Sequence, residues 1–199
     1  MAASRHYAPA RAAIEADGLL MLQDPALPSL VGMVAGEPVK GSWWAHPSGG
    51  EIFAIASALD DDPDVATMKL VAGKVTFVHR RLWPAVVAIG RGNARWQLEG
   101  LGRTARALLE RLEQTGELAA TGEDAKLVVT RLLAHGTQRH TDAGHHANVL
   151  QSWTRFAQLH ALDDELPTPT AAREQIERAV KAWALDEVKR AKLPWAAKR

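Results

Sequence analysis

The sequence predicts an α+β protein, on three observations. Apolar residues recur at helical spacing in several separate stretches. Residues 65–80 carry β-prone runs on either side of a Gly-containing turn, the pattern of a hairpin. Residues 101–152 run helix, short strand, helix, strand, tight turn, strand. Together these divide the chain into an N-terminal unit of helices and a β-hairpin over 1–92, a second unit over 93–166, and a C-terminal helix with a basic tail over 167–199.

In chain order, residues 8–17 are Ala-rich and end at Gly18, which predicts a short helix. Residues 18–50 hold six glycines and four prolines, a density of breakers that predicts irregular structure with short extended pieces. Ser48-Gly49-Gly50-Glu51 has capping-box spacing, with Ser at the N-cap and Glu at N3. The helix that it opens carries Ile52, Ile55, Ala56 and Leu59 on one stripe and ends in Asp60–Asp64. In the hairpin, Val65–Val71 is the outgoing strand, Ala72-Gly73-Lys74 the turn and Val75–Arg80 the return. Val75, Phe77 and His79 share one face of it. Leu82-Trp83-Pro84 starts a helix through Ile89, with Pro in the first turn where its missing N–H costs nothing. Gly90–Asn93 marks the boundary to the second unit.

Length and composition bound the rest. A chain of 199 residues suits one domain or two small ones, and 47% apolar with 24% charged residues is ordinary for a globular protein. With 24 basic and 23 acidic residues the net charge is +1, so any nucleic-acid surface must be local. Zero cysteines exclude disulfides, thiolate nucleophiles and Cys-held metals. No run of ~18 apolar residues predicts a membrane span, and the N-terminus has no signal-peptide core. The expected compartment is the cytoplasm, with no cofactor, no bound metal and no membrane partner.

Leu101, Ala105, Leu108, Leu109 and Leu112 form the first helical stripe of the 101–152 stretch, stopping at Gly116. Gly116–Ala120 is a short strand. Ala125, Val128, Val129, Leu132 and Leu133 form the second helix, stopping at Gly136. Two strands then flank Asp142-Ala143-Gly144. This is close to the order of a winged helix-turn-helix module, except that such modules place two short helices before the first wing strand and here there is one. The module points to nucleic acid, DNA foremost. It also serves elsewhere as a protein-contact or purely structural domain.

Charge distribution adds to that reading. Residues 72–111 hold eight basic residues, Lys74, Arg80, Arg81, Arg91, Arg95, Arg103, Arg106 and Arg111, against Glu99 and Glu110, a local charge of +6. Basic residues so grouped neutralise phosphates and release counterions. Trp83 and Trp96 lie among them, where an exposed ring would stack on an unpaired base. The competing explanation is a solvated basic face balanced by Asp60–Asp64. His140 and His145, on either side of the wing turn, are expected to lie nearly opposite each other and to donate to phosphate. With His135 and His146 they lack the spacing of a zincin site.

The stretch from Gly41 to Glu51 is the densest chemistry in the first half. Ser42, His46, Ser48 and Glu51 offer nucleophile, base and acid, with His46 and Glu51 the catalytic candidates. The structural alternative is that Trp43 and Trp44 anchor the loop while Ser48 and Glu51 cap the helix.

Three segments carry a family resemblance: Trp43-Trp44-x-His46-Pro47 with Ile52-Phe53, Lys69–Pro84, and His140-Thr141-x-x-Gly144-x-His146 with Trp153. They resemble a group of small bacterial proteins across about residues 20–160, a likeness that brings no activity with it. The C-terminal half is also similar to the winged helices of bacterial DNA glycosylases that act on bulky or crosslinked bases. The glutamine-centred motif of those enzymes has no match here, Gln97-Leu98-Glu99 included, so the resemblance transfers no catalytic residue. It implies a nucleic-acid-binding protein in DNA repair or maintenance. An enzyme acting on a base or glycosidic bond, and a protein-interaction module with Trp anchors, are the alternatives.

Overall fold

The computed structural model describes residues 5–140, 146–162, 166–183 and 193–196. Among them the chain is α+β, with two three-stranded antiparallel sheets. It divides into two compact units: residues through Leu82 with the stretch from Glu177, and Trp83–Ile176 with the segment from Leu193.

The first unit opens with α1 (Tyr7–Asp17), closed by Gly18 in the left-handed region at φ 85°. A Cβ on Gly18 would also sit 2.7 Å from Leu82, so sterics and backbone both ask for Gly there. Three residues then form β1 (Leu19–Met21), and α2 (Leu30–Ala35) follows from a Ser29 cap whose Oγ accepts from Gly32 N–H at 3.2 Å. After a single 3-10 turn at Trp43–Ala45 comes α3 (Gly49–Asp60). The hairpin is β2 (Val65–Val71) and β3 (Lys74–His79). Ala72 and Gly73 both have positive φ, 54° and 65°, the signature of the two-residue turn whose twist matches the strands.

The strand order is β1-β3-β2. Leu20 lies opposite Phe77 and Thr67 opposite Phe77 from the other side. That face packs on Ala10 and Ile14 of α1, Val31 of α2, and Ile52 and Ile55 of α3.

In the second unit, α4 (Trp83–Arg91) and the short α5 (Arg95–Leu98) precede α6 (Arg103–Thr115), β4 (Glu117–Ala119), α7 (Glu123–Thr130), β5 (His135–His140) and β6 (His146–Gln151). The sheet order is β4-β6-β5. Ala105, Leu112, Val128, Val129 and Leu150 form one core beneath it. Ser152 caps α8 (Trp153–His160), its Oγ accepting from Arg155 N–H at 3.1 Å. Last comes α9 (Pro169–Lys181). At its start Thr168 Oγ1 accepts from Ala171 N–H at 3.3 Å.

A second cluster in this unit is aromatic. Trp83 meets Phe156 edge-on at 5.6 Å and His160 at 4.6 Å. His135 lies 5.0 Å from Phe156 and 5.8 Å from Trp153. The Trp153 indole N–H donates to the Leu132 carbonyl at 2.8 Å. Its ring lies so close to Gly90 that a Cβ there would be 2.3 Å away. Gly90, read in the sequence as part of a boundary, is the penultimate residue of α4 and the seat of the Trp153 ring.

Candidate functional site

The second unit runs one helix, a short strand, a helix, and a hairpin whose return strand lies in the middle of the sheet. Only α7 stands between β4 and the hairpin, so the second of the usual two helices is absent there. After α7, Leu132 turns in the left-handed region at φ 53° and the chain enters β5. The α7 N-terminus presents Glu123 and Asp124, and between Trp83 and Ile176 ten basic residues meet eleven acidic ones. Any phosphate contact in this unit is therefore made by individual side chains and not by a uniformly basic face.

The wing differs from its expected pairing. His140 lies opposite His146, not His145. Residues 140 and 146 each stand three positions from residue 143, the middle of the expected turn, so an even count from that centre pairs 140 with 146, and a shift of one residue changes which neighbour faces across. His145 and the turn Asp142-Ala143-Gly144 lie outside the described residues. His135 is buried at 6% exposure among the rings above and belongs to the core.

Of the basic cluster, five members are engaged inside the molecule. Lys74 Nζ meets the buried Asp24 carboxylate at 3.0 Å. Arg80 pairs with Asp64 at 3.0 Å. Arg81 donates to the Glu15 and Ala16 carbonyls at the end of α1. Arg95 pairs with Glu99 at 3.1 Å, exposed and weak. Arg106 donates to the Leu101 and Leu98 carbonyls at 3.1 and 3.3 Å. Arg91 sits half-buried in the last turn of α4. Arg103 and Arg111, both exposed on α6, have no ion-pair partner among the described residues. The +6 segment also spans both units, Lys74, Arg80 and Arg81 in the first and the others in the second.

Neither tryptophan of that segment offers a stacking face. Trp83 is 2% exposed. Trp96 lies against Trp195 at 6.2 Å with Arg173 over its ring at 6.0 Å. Gln97 is fully buried: its Oε1 accepts from Ala94 N–H at 2.8 Å and its amide donates to the Arg131 and Leu132 carbonyls. It is a structural residue.

The acidic run also has a structural role. Asp62 accepts from Arg11 Nε at 2.7 Å and from Tyr7 Oη at 3.1 Å, while Arg11 reaches Asp64 at 3.0 Å. Burial raises the Asp62 pKa, but the Asp64 N–H, Arg11 and Tyr7 outweigh it and hold it below the usual carboxylate value. Nearby, burial and then the Arg11 and Arg81 charges push the His79 pKa down. Its Nδ1 accepts from Arg81 N–H at 3.3 Å, which suits the neutral ring.

The 42–51 loop separates its own residues. Ser48 has ψ 8° and no side-chain cap bond, so the capping box does not form. A capping serine needs extended backbone to aim its oxygen at the next turn, and Ser48 sits in a turn. Its N–H donates instead to His46 Nδ1 at 3.1 Å, and Glu51 binds His6 at 2.9 Å. His46 is half-buried. The aromatic pair divides too. Trp43 is 8% exposed and anchors the core, while Trp44 stacks on it at 4.2 Å, is 63% exposed, and lies 5.4 Å from the 46% exposed Phe53. The sequence treats the two tryptophans alike, and only the single 3-10 turn at 43–45 sends one inward and one outward.

No three metal-ligating side chains gather among the described residues, and no helix among them is long and apolar enough to cross a membrane. No protein-family model, no curated protein and no solved structure matches the chain.

Proposed function

We propose that the protein binds nucleic acid, DNA foremost, through its second unit, in a role in DNA maintenance. The observation that carries this reading is the winged-helix strand order β4-β6-β5 with the β5–β6 hairpin as a wing. The uncommitted Arg103 and Arg111 on α6 supply phosphate contacts. With one helix before the wing and acidic residues at its start, no element is suited to reading base edges in a major groove. Binding is therefore to the backbone, weak and largely independent of sequence.

The test is the salt dependence of binding to a generic duplex. Two phosphate contacts give a log K against log salt slope of about −1.8, and Arg103→Gln with Arg111→Gln abolishes it. No measurable binding at about 50 mM salt, or a slope indifferent to both changes, sinks the proposal.

A protein partner is the second reading, favoured by the exposed Trp44 and Phe53. Adjacent exposed aromatics are typical interface anchors. Under this reading Trp44→Ala abolishes a salt-insensitive association and leaves the duplex slope as it was.

A further inference from the structure

An open cleft of about 540 Å3 lies at the turn end of the β2–β3 hairpin, within the first unit. Three lysines line it: Lys40 from the loop before Trp43, Lys69 on β2, and Lys74 at the start of β3. No carboxylate lines it. Lys74 is engaged by Asp24, whose carboxylate is itself buried and accepts from Ala26 and Leu27 N–H at 2.9 and 3.1 Å. Lys40 and Lys69 are exposed and have no ion-pair partner among the described residues.

The backbone fixes where both of these side chains emerge at the cleft. Lys69 lies opposite Val75 in the ladder, an exposed position between the buried Met68 and Leu70. The opposite wall is pinned by Gln23, whose amide donates to the Val39 carbonyl at 3.2 Å and to the Gly41 carbonyl at 2.7 Å. Those two bonds bracket Lys40. The cleft is therefore built before any ligand arrives, and binding need not order the loop. Leu22, Val39, Trp43 and Val75 supply its apolar lining.

We propose that this cleft binds a small organic phosphate, a phosphate monoester with an apolar or aromatic remainder. A monoester carries −1.5 to −2 charge near neutral pH, which two uncompensated lysines match. The volume falls in the range of small-molecule sites and leaves room well beyond a bare anion. The apolar wall receives that remainder. This site is independent of the nucleic-acid reading, which rests on Arg103, Arg111 and the wing of the other unit.

The test is calorimetric titration of the full chain with adenosine 5′-monophosphate, adenosine and inorganic phosphate at low ionic strength. The nucleotide binds saturably and more tightly than either part alone. Lys40→Gln with Lys69→Gln weakens it at least tenfold, in line with the loss of charge-assisted hydrogen bonds. Both lysines are exposed, so the variant keeps the thermal transition of the parent. Arg103→Gln with Arg111→Gln leaves nucleotide binding unchanged, which separates failure here from failure of the nucleic-acid reading. Three results overturn the proposal: no saturation up to about 10 mM nucleotide, adenosine binding as well as its monophosphate, or binding indifferent to the lysine changes. A short single strand that binds in a lysine-dependent way, while the mononucleotide does not, also overturns it and gives the cleft to nucleic acid.

Discussion

In the first unit three arginines are tied into the fold. Arg11 holds Asp62 and Asp64, Arg80 holds Asp64, and Arg81 closes the carbonyls at the end of α1. In the second unit Arg106 and Arg131 bind backbone carbonyls, and a cluster of rings adds to them: Trp83, Trp153 and Phe156 with His135 and His160. Two arginines of α6 are left to solvent. A positive residue is available to a partner only where the fold does not already use it. The density of basic residues along the chain measures something else.

The sharpest way to break this contrast is at the ring cluster. Gly90→Ala places a methyl 2.3 Å from the Trp153 ring, and neither helix backbone nor indole gives way cheaply. Overpacking of this kind costs about 3 kcal/mol. Chemical denaturation of the variant measures it, and a loss under about 0.5 kcal/mol would mean that Trp153 is not seated on Gly90.

The charged network is the next target. Arg11→Met leaves the nearly buried Asp62 with Tyr7 and the Asp64 N–H alone, at a cost of about 2 kcal/mol at neutral pH. The sign of its pH dependence follows from the depressed Asp62 pKa. Its stability is fully present above the ordinary carboxylate value, near 3.9, and is lost as pH falls through the lower folded value. His79 acts in the same direction at higher pH. Its folded pKa is depressed, so the unfolded chain takes up the proton first as pH falls below about 6.5. Urea midpoints across pH 8 to 3 should therefore fall steadily on acidification. The parent's advantage over Arg11→Met at neutral pH should shrink toward acid. A constant gap between the two curves would remove Arg11 as the partner of Asp62.

The smallest effect distinguishes two serines that stand at helix starts. Ser152→Ala removes a formed cap and costs about 1 kcal/mol. Ser48→Ala removes no cap bond and should stay within about 0.5 kcal/mol. Equal losses at the two sites would show that Ser48 caps after all.

Much of the scaffold was legible because it is periodic. The stripes of α1, α3 and α6 fall where local chemistry places them, and so does the hairpin turn, although Lys74, expected in the turn, opens β3. β1 was not legible, because Leu19–Met21 is three residues long and is a strand only through its pairing with β3. The short α2 was hidden among glycines and prolines for the same reason of length. The serine at 48 has the right spacing for a cap but not the backbone angle, which is set by the preceding turn. At the β5–β6 hairpin the turn residues were legible, and counting evenly from residue 143 yields the register, His140 opposite His146, that pairing His140 with His145 missed by one. The basic segment misled most. A count of charges along the chain carries no information about Glu15, Asp24 or Asp64, which lie near in space and far in sequence. Lys69 left a trace as the exposed residue between Met68 and Leu70, whereas Lys40, on an irregular loop, left none.

The contact between Gly90 and the Trp153 ring also constrains how this chain can drift. Neither position can change alone: a side chain at 90 has no room while the indole is present, and a smaller residue at 153 leaves a void above a glycine that no longer needs to be one. The paths open to descendants pass through a damaged intermediate or through both changes at once. Residues 90 and 153 should therefore vary together across relatives, a small residue at 153 accompanying Ala or Ser at 90, while the bulkier neighbours of the ring vary independently of them.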